Sequence, residues 1–223
     1  MLSIGLNIEK INKAIESSAS NFSRNVTLVA VTKTVSVDKI KEAIDLGVTD
    51  VGENRVQELV KKYELIGNKV KWHLIGHLQR NKVKYIVDKV DLIHSLDSYE
   101  LALEIEKRAS KIKREISCLV EVNISGEESK YGLNPSEVKP LLEKLDTLSF
   151  VKVEGLMTMA PYVENPEEVR KYFRALRQLS EDIKQLAFNN VSMKYLSMGM
   201  SNDYEVALEE GANIVRVGSA IFS

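Results

Sequence analysis

Two periodicities alternate along the chain. Short runs of β-branched and apolar residues are each followed by a longer charged stretch whose apolar positions recur at helical spacing. The runs "TLVAV" (27–31), "DVGE" (50–53), "KWHLIG" (71–76), "DLIHS" (91–95), "SCLVEVN" (117–123), "FVKVEG" (150–155), "KYLSM" (194–198) and "NIVRVG" (213–218) predict eight strands. Between them, 36–46 carries Val37, Ile40 and Ile44 ahead of Gly47, and 98–109 carries Leu101, Ala102, Ile105 and Ala109. The segment 166–188 sets Val169, Phe173, Leu176, Leu179, Ile183 and Leu186 on one helical face. Ser98 and the pair Asn134-Pro135 have the character of helix starts, and a further amphipathic helix is expected around 6–20.

Eight strands alternating with helices favour an α/β fold, a single parallel (β/α)8 TIM barrel with an extra N-terminal helix. An open doubly wound sheet is the alternative, because "DVGE" and "DLIHS" are short. No low-complexity linker or composition shift divides the chain, so residues 1–223 read as one domain.

Composition narrows the function classes. With 223 residues, 44% hydrophobic and 28% charged, the chain can bury a core without disulfide or metal staples. A net charge of -1 gives no basis for nucleic acid or an anionic membrane as the main partner. Asn7, Glu9, Lys10 and Lys13 interrupt any signal-peptide core, and no apolar run approaches the roughly 20 residues of a membrane span. Cys118 is the single cysteine, which excludes an intramolecular disulfide and fits a reducing, cytoplasmic compartment.

The chemically useful residues fall at the C-terminal ends of the strands, which a barrel gathers on one face. Lys33 follows the first strand, Asn54 the second, His73 closes the third, and Met157 follows the sixth. "SMGMS", with Ser197, Gly199 and Ser201, follows the seventh; Arg216, Gly218 and Ser219 end the eighth. A lysine closing an apolar run raises a question, because burying an ammonium is costly. Its plain explanation is a side chain snorkelling to water. Gly/Ser turns at the seventh and eighth strands suit an anion, although such turns are often no more than turns. Together they suggest an aldehyde cofactor bearing a phosphate, with pyridoxal 5'-phosphate held as a Schiff base on Lys33.

Seven motifs in order resemble the pyridoxal phosphate homeostasis proteins, also called proline synthase co-transcribed homologues. They are "LVAVTKT", "GENRVQEL", "KWHLIGHLQRNKVK", "VEVNISGEESKYG", "VEGLMTMAP", "LSMGMSNDYEVAL" and "GANIVRVGSAIF". The resemblance implies a barrel like the N-terminal domain of alanine racemase, the fold type III architecture. It implies that Lys33 carries pyridoxal phosphate, that Ser197, Gly199, Ser201, Gly218 and Ser219 form the phosphate pocket, and that Asn54 and His73 line the ring face. Met157 would pack nearby and Arg216 would face the pyridine nitrogen. An arginine there is protonated in practice, so it can donate to the nitrogen but hardly protonate it, which weakens the cofactor as an electron sink. The racemases add a β domain and a partner subunit, and neither is expected here. The family resemblance therefore implies a monomeric carrier that releases the vitamer, with apo forms of pyridoxal-phosphate-dependent enzymes as possible recipients.

Rival functions rest on fewer residues. A racemase or other fold type III enzyme needs a second acid opposite Lys33; Tyr131, Tyr162 and Tyr204 are candidates, although packing roles explain them too. His73 and His77 lie four apart but flank Gly76 at a strand end, not on a helix, so a shared metal is not expected. His94 reads as a hydrogen-bonded residue and Cys118 as a small buried hydrophobe. In "EIEKRASKIKREIS" (104–117) the charges alternate in sign, as on a solvated helix face.

Overall fold

Eight parallel strands close on themselves in sequence order: β1 (Thr27–Val31), β2 (Asp50–Glu53), β3 (Lys71–Leu74), β4 (Leu92–Leu96), β5 (Ile116–Glu121), β6 (Val151–Met157), β7 (Val191–Ser197) and β8 (Ile214–Val217). They are seen in a computed structural model that describes residues 3–22 and 25–223. Residues 1, 2, 23 and 24 of the expected domain lie outside the described residues. Closure is made by β1 pairing with β8, with Val29 opposite Arg216 and Ala30 opposite Val217. The closed parallel barrel therefore replaces the open-sheet alternative.

The helices are α1 (Ile4–Phe22), α2 (Val37–Asp45), α3 (Val56–Ile66), α4 (Tyr99–Ile112), α5 (Pro135–Leu145), α6 (Arg170–Lys184), α7 (Tyr204–Glu209) and α8 (Ser219–Phe222). Local chemistry sets their starts. Ser36 and Ser98 accept from the Lys39 and Leu101 N–H groups, and Asn134 forms a capping box with Glu137 ahead of Pro135. The periodic segment 166–188 divides into a 3-10 turn (Pro166–Val169) and α6. Pro166 starts the first turn, where its missing N–H costs nothing. Between β3 and β4 the chain forms only a 3-10 segment (Arg80–Tyr85), so the barrel's outer ring is thinner there. α1 is the extra N-terminal helix; its Ile4, Ile8, Ile11 and Ile15 are buried.

Two apolar regions result. The larger lies between the barrel and its helices, around Trp72, Leu59, Leu101, Ile105 and Phe173. A smaller one joins Val29, Leu92, Leu119, Met157 and Ile214, contributed by β1, β4, β5, β6 and β8. Residues from strands spread around the barrel can meet only in its interior, so this second cluster marks the inward-facing set. Among the described residues no helix is long and apolar enough to cross a membrane.

Candidate functional site

At the end of β1, the turn through Lys33 is fixed from behind. Lys33 is exposed, and among the described residues its amine has no hydrogen-bond or ion-pair partner. The strand stops at Val31, two residues before Lys33, so the ammonium reaches the rim without being desolvated. The costly buried lysine raised by the sequence is therefore not what this turn contains. Thr32 turns the other way, and its hydroxyl donates to Glu53 Oε1 at 2.5 Å. Lys62 on α3 donates to the same oxygen at 2.6 Å and to the Thr32 carbonyl at 2.7 Å. Burial pushes the Glu53 carboxyl above its usual range despite these bonds, and Glu53 Oε2 has no partner. Thr34 follows at φ +61°, a strained value for a β-branched residue. Its hydroxyl donates to the Lys33 carbonyl at 2.6 Å and Val35 N–H donates to Thr32 O at 2.9 Å.

Lys33 opens onto a cavity of about 420 Å³ whose lining includes Val31, Ser36, Lys39, Gly218 and Ser219. That volume lies in the range of small-molecule sites. Ser201 Oγ accepts from the Gly218 and Ala220 N–H groups, each at 3.2 Å, which ties the seventh loop to the eighth. Gly199 sits at φ +94°, and a Cβ there would lie 2.6 Å from the Ala207 Cβ, so the bend admits only glycine. Of the expected phosphate residues, Gly199, Ser201, Gly218 and Ser219 belong to these two loops. Ser197 is placed differently.

Ser197 points into the barrel, fully buried, as one member of a polar chain. Arg216 Nη1 donates to Ser197 Oγ at 2.5 Å, and Ser197 Oγ lies 2.9 Å from His94 Nδ1. His94 Nε2 is 2.9 Å from His73 Nδ1, and His73 Nε2 is 2.9 Å from Asp50 Oδ1. Arg216 Nη2 also donates to the Thr158 carbonyl at 2.8 Å. Both ring nitrogens of His73 are thus engaged inside the barrel. The inward alternation of β3 sends His73 below the rim, while His77, beyond the strand, contacts Asp97 at 3.3 Å and stacks on Tyr131. The two histidines therefore serve different neighbourhoods. His94 is, as expected, hydrogen-bonded; burial, His73 and Arg216 hold its imidazole well below the usual histidine range.

Burial also lowers the Arg216 guanidinium to about 10, so it remains charged near neutrality. Burial pushes the Asp50 carboxyl upward, but hydrogen bonds from His73 and Thr49 outweigh that and hold it below the usual range. Asn54 is half-buried just past β2, where the Gly76 backbone packs on it; a Cβ on Gly76 would come 2.4 Å from the Asn54 carbonyl. Met157 lies in the inner cluster beneath the mouth.

Glu121 was not singled out by the sequence motifs. It ends β5, two residues after the inward-facing Leu119, and is buried with Oε2 unpartnered. Burial and the charge of Asp97 push its carboxyl up to about 7, against the pull of Arg216. Strand alternation from Leu119 was the signal that could have found it. The tyrosines separate: Tyr162 stands 85% exposed, Tyr131 stacks on His77, and Tyr204 is buried with its phenol raised to about 12. Burial pushes the Cys118 thiol up, as suits a small core residue.

A free amine, a glycine turn and the Ser36 and Ser219 hydroxyls around one cavity fit a phosphate-bearing aldehyde, and a buried cation lies in the barrel below. Comparison with known proteins gives the same direction. Residues 6–223 match the family described as alanine racemase, N-terminal domain. The chain is 50% identical over 216 residues to the pyridoxal phosphate homeostasis protein of Aquifex aeolicus, covering 96% of this chain and 93% of that one. A structure of an unknown protein from Bifidobacterium adolescentis is 36% identical with a TM-score of 0.91, covering 98% and 94% of the two chains. PipY of Synechococcus elongatus, solved with PLP bound, is 33% identical with a TM-score of 0.81, covering 94% and 100%.

Proposed function

This chain belongs to the pyridoxal phosphate homeostasis protein family, and on that premise we propose that it holds pyridoxal phosphate at Lys33 and releases it to acceptors. The observation that carries this reading is the cavity shared by the unpartnered Lys33 amine and the Gly218-Ser219 turn. When bound, the cofactor supplies an aldehyde to which a lysine amine attaches reversibly. Lys33 would provide that amine, and Gly199, Ser201, Gly218 and Ser219 would receive the phosphate. Asn54 would flank the ring at the rim, Met157 would support it from below, and Arg216 would offer a fixed donor toward the ring nitrogen.

The exposed rim supports release, because an incoming amine can reach Lys33 from solvent. Apo forms of pyridoxal-phosphate-dependent enzymes are the recipients we propose. A cytoplasmic monomer is consistent with one buried cysteine and with large exposed apolar residues scattered over separate elements, such as Leu6, Leu65, Leu103 and Tyr162.

A second reading, a racemase, is favoured by one observation: Glu121 is an inward-facing carboxyl whose proton is held near neutrality. A protonated guanidinium at Arg216 leaves the ring nitrogen poorly able to accept charge, so a racemase would need that carboxyl to act as its second acid/base group. Loaded protein incubated with L-alanine in deuterated water separates the two. The carrier reading predicts negligible exchange at the α-carbon by NMR together with reactivation of an added apo-enzyme. Exchange on the order of 1 per second or faster would instead establish an enzyme.

A further inference from the structure

The polar chain inside the barrel has a direction, and the direction follows from counting protons. Asp50 Oδ2 already accepts from the Thr49 hydroxyl at 2.7 Å, so Asp50 is an acceptor at both oxygens when ionised. His73 then donates from Nε2, leaving Nδ1 to accept from His94 Nε2. His94 Nδ1 accepts the Ser197 hydroxyl proton, and Ser197 Oγ accepts from Arg216. Every donor has one acceptor, and every proton points from Arg216 toward Asp50.

The opposite arrangement fails at one atom. If His73 carried two protons, or if Asp50 were protonated, His94 would have to donate from Nδ1 to Ser197. Ser197 Oγ would then accept from both His94 and Arg216, and its own proton would be left without an acceptor in a fully buried site. Glu121 and Asp203 approach Arg216 electrostatically, but among the described residues no carboxylate forms an ion pair with it.

We propose that Asp50, His73, His94 and Ser197 are positioning residues for Arg216: a one-way hydrogen-bonded chain that orients its guanidinium and ends on a carboxylate at the far end of the barrel. The proposal rests on the reading that Arg216 faces the ring nitrogen of bound pyridoxal phosphate. Its consequence is that the guanidinium is oriented through the chain rather than by a paired carboxylate. Asp50 begins β2, so the carboxylate lies at the opposite end of the barrel interior from the mouth. Ser197 also has no proton to spare for a phosphate, which explains why it differs from Ser201 and Ser219.

Nitrogen NMR of the imidazoles in the unloaded protein tests this independently of cofactor binding. His77→Gln removes the third histidine, so the remaining imidazole signals belong to His73 and His94, and a His73→Gln variant separates those two. At neutral pH, His94 should be neutral and protonated on Nε2, and the proton that His73 directs at Asp50 should sit on Nε2. A proton on Nδ1 of either ring, or a doubly protonated His73, would overturn the chain's direction. In Asp50→Ala, which does not touch His94, the His94 signals should move toward a mixture of tautomers. A single unchanged tautomer would show that Asp50 does not set the direction. With pyridoxal phosphate loaded, Asp50→Ala should also shift the visible absorption band; a changed tautomer with an unchanged band would break the link to Arg216.

Discussion

Serines separated by only a few positions have different jobs, and affinity for two vitamers can tell them apart. Ser201 binds the Gly218 and Ala220 N–H groups, whereas Ser197 is committed to His94 and Arg216. Ser201→Ala and Ser219→Ala should therefore lower the preference for pyridoxal phosphate over pyridoxal. A hydrogen bond involving a charged group contributes about 1.5–3 kcal/mol, or roughly 10- to 150-fold. Ser197→Ala should leave that preference unchanged while altering affinity for both; titrations of the four proteins with each vitamer decide it. Glu121 makes a second residue-scale prediction. Its carboxyl is raised from 4.5 to about 7 on folding, so between these values the folded state binds the extra proton. Stability from this group is present at low pH and is lost as pH rises through about 7. Glu121→Gln should remove that loss, raising stability at pH 8 relative to wild type by roughly 3 kcal/mol. Urea melts of both proteins at pH 5 and pH 8 measure it, and parallel pH curves would contradict it.

Among the elements, β1, β2 and α3 share one buried junction. Lys62 closes a pair with Glu53 while also holding the Thr32 carbonyl beside Lys33. Lys62→Ala leaves a buried carboxylate uncompensated and should cost about 3–5 kcal/mol. Pairing Lys62→Met with Glu53→Gln should restore most of that stability without restoring the anchored turn, a separation that denaturant melts and cofactor titration can detect together. Most elements were legible because parallel strands covered on both faces read as short apolar runs. "TLVAV" and "DVGE" match β1 and β2 at both ends. The connection after β3 was not legible as an incomplete helix, since its 3-10 segment has no strong helical period. The placement of His73 and Ser197 required knowing which strand face looks inward, and the motif around each says only that it lies near a strand end. Glu121 shows the converse, because alternation from Leu119 pointed inward while no recognised motif role drew attention to it.

Considered as a whole molecule, the barrel sets an exposed rim apart from an enclosed polar interior. Lys33 and the seventh and eighth loops face solvent, while Arg216 and its histidine chain are enclosed. Binding at the rim should stabilise the entire fold by mass action. Pyridoxal phosphate at about 100 times its dissociation constant should add about 2.7 kcal/mol to the unfolding free energy. For a domain of this size that corresponds to a rise in Tm of roughly 5–11 °C. Thermal melts with and without the vitamer check this, and the rise should shrink sharply in Lys33→Ala.

The central claim is that Lys33 is the point of attachment, and chemical trapping tests it most directly. Loaded protein is reduced with borohydride, digested and mapped by mass spectrometry. The phosphopyridoxyl mass should appear on the peptide containing Lys33 and disappear in Lys33→Ala, whose circular dichroism should remain that of a folded barrel. The same mass on Lys39, Lys82 or Lys130, with the Lys33 peptide unmodified, would contradict it.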